Sequence, residues 1–336
     1  MNVAEVDREL IKRDWTLVFF GCGTEYVLHP LYEHMVLREY DCTEIDTLHC
    51  DPFPLFDAVR RKRRRVALIS SQHFIDGRFN RELFGKKTYV CLMEAAGALS
   101  AEFTCFFPHD LIYPITTEEI PYLAFIDLYL AAEPRELFLK QYCDVKLVGW
   151  MKAKGLETQK SFDLRNDAIW LFCGASTLCA AQGVLTGCDQ IAQSVLDQCS
   201  VKIASWYDSA EIEQRLRDRG LHVIDSSENA ISLIRHAKTV VSNGVSSVVR
   251  EANLFGKRTV VVVDDRITLP DDKGNWWQLA ELPNVEFCSS LSQVDLTKAP
   301  VAAGRDLSLA KEVSLEQVAE IIVSKMAEKA ALQRLG

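Results

Sequence analysis

The segment VVSNGVSSVVREANLFGKRTVVVV, residues 240–263, breaks a run of valines with Asn243-Gly244, two serines and, a helical turn further on, an acid. A helix buried between two strands has no packing use for Ser246, Ser247 and Glu251. These residue types suit anion binding instead. Gly244 tolerates a positive φ and lets a ligand approach the main chain. Ser246 or Ser247 opens a helix whose first-turn N–H groups and dipole favour a phosphate or pyrophosphate, and the hydroxyls add direct hydrogen bonds. Glu251 lies too deep to cap the helix and is placed to accept hydrogen bonds from the vicinal hydroxyls of a sugar such as ribose. The plainer alternative is a serine N-cap, with Gly256 ending the helix.

Other candidates follow apolar runs. FFGCGTE (19–25) puts Gly21 and Gly23 in a first β-α turn, where small residues admit a substrate. Gly-x-Gly without a third glycine is not a dinucleotide fingerprint. ISSQHF (69–74) leaves Ser71, Gln72 and His73 after one strand, and CFFPHDLI (105–112) leaves His109 and Asp110 after another. An imidazole followed by a carboxylate at the end of a buried strand suits acid/base chemistry, with His109 the first candidate base and Asp110 the second. Glu25 and Glu94 rank behind them. FCGASTL (172–178) offers Gly174, Ser176 and Thr177 in a loop that starts the next helix. Asp225, Ser226 and Ser227 either reach a nucleobase or cap helix 227–237. Trp276-Trp277 either stack on a ligand or pack. His49-Cys50 and the scattered acids lack ligand spacing, so no metal is expected, and no Walker lysine loop is present.

The elements that position these residues alternate along the chain. Continuous apolar runs at 16–20, 66–70, 88–93, 104–107, 126–131 and 145–149 read as strands of one unit. Runs at 168–174, 201–206, 221–225, 239–243, 259–265 and 285–289 read as strands of a second. Unbroken apolar strands belong to parallel sheets covered on both faces. SAEIEQRLRDRG (209–220) starts at a serine and stops at Gly220, and SENAISLIRHA (227–237) starts at Ser227. The alternation predicts two doubly wound α/β domains. The boundary falls in the polar stretch between Trp150 and Asp167. The expected domains are 1–155, 156–312, and an amphipathic C-terminal helix over 313–336 that packs back over the junction.

The chain has 336 residues, 48% hydrophobic and 25% charged, the balance of a soluble globular protein. Its net charge of −9 disfavours nucleic acid as a partner. Eleven cysteines without a CxxC, and a charged N-terminal stretch in place of a signal peptide, read as reduced thiols and a cytoplasmic protein. RRKRRR (60–65) is the densest charge cluster. It reads as a solvated helix end, or as a contact with an acidic acceptor or an anionic surface at the inner membrane face.

The run from His222 to Val263, with LIRHAKTVVSNGVSSVVREANLFGKRTVVVV at its centre, resembles the nucleotide-binding half of GT-B-type glycosyltransferases. The likeness is to the branch that holds bacterial sialyltransferases and CDP-glycerol glycerophosphotransferases, and it covers about 40 residues. Lys257-Arg258 stands where many relatives carry Lys-Pro or Arg-Pro, and His222 lacks the proline of the His-Pro pair found in many sialyltransferases. The resemblance implies two Rossmann-like domains facing across a cleft. It implies that Ser246 and Ser247 hold donor phosphates, assisted by the Gly174–Thr177 loop, and that Glu251 holds the ribose. The first domain then supplies the acceptor site, with Gly21, Gly23 and His73 lining it, and the base. The implied activity is transfer of a sugar from a nucleotide-activated donor to a glycan or lipid-linked acceptor in bacterial surface polysaccharide synthesis. No cofactor is implied, because the nucleotide is a substrate. A CDP-polyol phosphotransferase, a UDP-sugar 2-epimerase and a non-catalytic nucleotide- or partner-binding paralogue are the alternatives.

Overall fold

The computed structural model describes residues 3–21, 27–47, 50–74, 90–109, 111, 119–153, 161–172, 197–203, 210–242, 246–263, 279, 282–289, 293–296, 298 and 313–335. The chain divides into two compact units. The first is Met1–Gly155 with Ser308–Gly336, and the second is Leu156–Leu307.

The first unit is built on six parallel strands: β1 (Trp15–Gly21), β2 (Cys42–Asp46), β3 (Arg65–Ser70), β4 (Phe103–Phe106), β5 (Leu128–Ala131) and β6 (Val145–Leu147). Their order is β2-β1-β3-β4-β5-β6. Both faces are covered, which is why β1 reads as an unbroken apolar run. Leu17 and Phe19 point into one core with α1 (Val3–Asp14) and α2 (His29–Leu37), while Val18 and Phe20 point into the other with α3 (Pro52–Arg61) and α4 (Leu92–Leu99). Residues 90–93, the described part of the run expected as a strand at 88–93, are not a strand. Residues 88 and 89 lie outside the described set, and Cys91 caps α4. Its Sγ meets the Glu94 N–H at 3.5 Å, and Glu94 accepts from the Cys91 N–H at 3.0 Å. The strand that replaces it in the count is β2, a polar edge strand.

The second unit carries β7 (Ala168–Phe172), β8 (Ser200–Ile203), β9 (His222–Ile224), β10 (Thr239–Ser242), β11 (Arg258–Val262) and β12 (Val285–Cys288). All pairs are parallel, in the order β12-β11-β10-β7-β8-β9. Its described helices are α5 (Ala210–Asp218), α6 (Ala230–His236) and α7 (Ser247–Leu254). Asn229, not Ser227, caps α6, its Oδ1 accepting from the N–H groups of Ile231 and Ser232 at 2.8 and 3.3 Å. Ser227 turns back to Asp225, donating its hydroxyl at 2.6 Å. Gly256 ends α7 at φ +65, a conformation that favours glycine.

The last helix, α8 (Leu315–Leu335), belongs to the first unit. Val318, Ala319, Ile322, Val323, Met326 and Ala330 form a helical stripe buried in the core shared with α1 and α2. Ion pairs flank the stripe, Arg8–Glu320 at 2.6 Å, Lys325–Asp144 at 2.9 Å and Lys329–Asp127 at 2.6 Å. No described helix is long and apolar enough to cross a membrane.

Candidate functional site

In an open parallel sheet, ligands gather outside the carboxyl ends of the strands, where the strand order reverses. In the first unit that point lies between β1 and β3, because β2 goes to one side of β1 and all later strands to the other. Gly21 is the last residue of β1 rather than part of the following turn, and its carbonyl accepts from the Thr47 N–H at 2.9 Å. Gly23 lies outside the described residues.

Ser70 of β3 and Phe106 of β4 are register partners. Counting three residues past each gives His73 and His109, so the sheet delivers both imidazoles to one place. The rings meet edge to face, with centroids 4.7 Å apart and planes at 85°. Asp110 lies outside the described residues. Among the described residues, the carboxylate that meets the pair is Glu119, 5% exposed, with Oε1 3.4 Å from Nδ1 of His73. The same oxygen accepts from the Phe74 N–H at 3.0 Å, which fixes the carboxylate. Gln72 is buried and spends its side chain on the Val90 carbonyl at 3.0 Å, so it braces the loop. Burial, then the charges of His73 and Lys152, hold His109 well below the usual imidazole value. His109 is therefore neutral near pH 7.

Beside this group, the Tyr129 hydroxyl donates to Glu136 at 2.7 Å, and the Glu133 N–H donates to the other Glu136 oxygen at 2.7 Å. Burial pushes the Glu136 carboxyl up to about 7 despite these bonds. Neither Glu119 nor Glu136 carries a sequence signal, since both sit in short segments without periodicity.

In the second unit the strand order reverses between β7 and β10. Ser242 of β10 and Leu171 of β7 are register partners, so these two strands end side by side. Gly174, Ser176, Thr177 and Gly244 fall outside the described residues. Ser246 occupies the N-cap position of α7 with extended backbone, φ −142 and ψ 152, yet its side chain makes no capping hydrogen bond. Ser247 opens the helix. Glu251, four residues on, shares its face and is 3% exposed, next to the buried Arg250. Arg258, in the place where the resembled family has proline, is 1% exposed and grips both Glu286 oxygens at 2.9 and 3.0 Å. It ties β11 to β12.

Most of the basic cluster is committed inside the first unit. Lys62 and Arg64 pair with Asp41 at 2.7 and 2.8 Å, Arg65 with Glu102 at 2.9 Å, and Arg60 with Asp57. Burial opposes ionisation of Asp41, but hydrogen bonds from Lys62, Thr16 and Arg64 hold its carboxyl below the usual range. Arg61 and Arg63 are exposed. Among the described residues, no group of three or more His, Cys, Asp or Glu is placed to hold a metal.

No protein-family profile and no curated protein matches the chain. Solved structures do. A variant of the wall teichoic acid polymerase TagF superposes with a TM-score of 0.58 at 8% identity, over 97% of this chain and 92% of that one. TagF after a 15-minute CDPG soak gives 0.50 at 9% identity, over 97% and 87%. A putative UDP-N-acetylglucosamine 2-epimerase from Listeria monocytogenes gives 0.47 at 13% identity, over 75% and 79%, too low to weigh. The two stronger likenesses, with six parallel strands in each unit, show the fold: two Rossmann-like α/β domains of the GT-B type.

Proposed function

We propose that the protein is a transferase that binds a nucleotide-activated donor on its second unit and passes the activated group to a hydroxyl of a glycan or lipid-linked acceptor. The observation that carries this reading is the start of α7. Two serines stand at the point where the strand order reverses, and the N-cap serine's side chain makes no hydrogen bond to the first turn of α7, where the Val249 N–H donates to the Ser246 carbonyl at 3.0 Å. A phosphate satisfies first-turn N–H groups and the helix dipole together. Glu251, on the face of Ser247, is the candidate ribose partner. The base is drawn from the imidazole pair on the first unit, where the neutral His109 and its neighbour His73 are able to accept a proton. A glycosyl group is the first reading of the transferred moiety. Transfer of a polyol phosphate is the second, favoured by the likeness to TagF, a wall teichoic acid polymerase.

A thermal-shift panel of CMP, CDP, UDP and GDP ligands tests the donor site, since a ligand that binds only the native state raises the melting temperature. Stabilisation by one nucleotide class supports the reading, and no shift with any of them removes it. With the donor in hand, release of a nucleoside diphosphate points to glycosyl transfer from a UDP- or GDP-sugar. Release of a nucleoside monophosphate from a CDP-polyol points to polyol-phosphate transfer.

A further inference from the structure

Three loops bring His73, His109 and Glu119 to one patch of the first unit. His73 follows β3 and His109 follows β4, while Glu119 precedes the 3-10 segment Ile120–Phe125 that leads into β5. These strands are consecutive in the sheet, so the meeting follows from the strand order.

The pair of imidazoles is not symmetric. Two rings in edge contact repel each other when both are charged, so a proton entering the patch settles on one of them. His109 faces His73 and the charge of Lys152 and is the ring held in its neutral form. His73 has Glu119 at Nδ1, 3.4 Å away. A carboxylate against one imidazole nitrogen fixes the tautomer, orients the ring and stabilises the imidazolium that forms when the other nitrogen takes a proton. Glu119 is itself held by the Phe74 N–H, the residue next to the histidine it faces. The His73 side chain is 32% exposed and that of Glu119 only 6%, so the imidazole meets solvent while the carboxylate backs it from inside.

We propose that His73, positioned by Glu119, is the general base of the reaction proposed above, with His109 packed edge to face against it. The acceptor O–H bond breaks and its proton passes to Nε2 of His73. The acceptor oxygen forms a bond to the electrophilic centre of the donor, the anomeric carbon or the phosphorus. The bond from that centre to the nucleotide oxygen breaks, and its electron pair leaves with the nucleotide. Glu119 remains a carboxylate throughout and steadies the imidazolium. The proposal rests on the transferase reading, and nucleotide release and donor binding are measured separately to keep the two apart.

The test is nucleotide release by the full chain, with donor affinity measured by calorimetry. His73→Ala is expected to lower kcat by about 100- to 10,000-fold, the usual contribution of a positioned base, while donor Kd stays near wild type. Added imidazole is expected to restore part of that rate in His73→Ala and none in His109→Ala. Glu119→Gln is expected to lower kcat with little change in the acceptor KM, and Glu119→Asp to recover most of it, an outcome that a purely structural carboxylate does not produce. His73→Gln serves as the second variant if the alanine form fails to fold by circular dichroism. Wild-type turnover with His73→Ala or His73→Gln close to full rate overturns this assignment and leaves the donor site standing. Imidazole rescue of His109→Ala alone also overturns it. Failure of the wild-type chain to bind any nucleotide overturns both.

Discussion

At the loop edge of the first sheet, His73, His109 and Glu119 stand in contact, and the chemistry available is that of titrating side chains. In the second unit, α7 starts at Ser246 without a side-chain cap, and the chemistry available is that of main-chain amides and hydroxyls. The sheets differ in order: the reversal follows two strands in the first unit and three in the second. Amides do not titrate, so they hold an anion at any pH. Imidazoles move protons, so their work depends on pH and on neighbouring charge. The proposed reading places grip and proton transfer on separate folding units.

The contrast can be broken by experiment. Removing both imidazoles, His73→Ala with His109→Ala, is expected to lower kcat by about 100- to 10,000-fold with donor affinity retained. A parallel loss of affinity would erase the division of labour. Ser246→Ala with Ser247→Ala is expected to act in the opposite sense. Loss of hydrogen bonds to a charged phosphate costs about 1.5–3 kcal/mol, roughly ten- to hundredfold in Kd by calorimetry. Unchanged affinity in that variant would remove the phosphate assignment.

Glu136 is raised in the native state from an ordinary value of 4.5 to about 7. The native state therefore binds the extra proton between those values. Its contribution is full below about 4.5 and is lost as pH rises through about 7. His109, lowered in the native state, works the other way: its contribution is full above the ordinary imidazole value and is lost as pH falls below it. Glu136→Gln is expected to flatten the loss of stability between pH 5 and pH 8 in denaturant melts. An unchanged slope would show that this carboxyl does not titrate there.

The smallest effects compare two helix starts in the second unit. Asn229→Ala removes a formed cap from α6 and is expected to cost about 1 kcal/mol. Ser246→Ala in the ligand-free protein removes none and is expected to cost less than about 0.5 kcal/mol. Equal losses would mean that Ser246 caps α7 in solution.

Much of the architecture was legible because a sheet buried on both faces writes itself as unbroken apolar strands, as in TLVFF and TVVVVDD. The failures have specific causes. The run at 88–93 is apolar enough for a strand, but in its described part the Cys91–Glu94 capping box starts α4. β2 is an edge strand whose residues are mostly half-exposed, so CTEID shows no buried run. Asn229 outcompetes Ser227 as the cap because Asp225 captures the serine. His73 and His109 were legible singly, since each follows a strand. Their contact was not, because it depends on β3 and β4 being neighbours in register. Glu119 was illegible, since its meaning comes from a fold contact 46 residues away in sequence from His73.

The placement of α8 has a consequence for synthesis. The core that it shares with α1 and α2 cannot close until residues 315–335 have left the ribosome, by which time the whole of the second unit has emerged. Domains tend to fold as units during translation. The unit that begins first therefore finishes last, with Trp15, Leu28, Leu31 and Met35 left waiting for their cover. A nascent chain stalled short of α8 is expected to be a client for chaperones through that unfinished face, while its second unit is already folded.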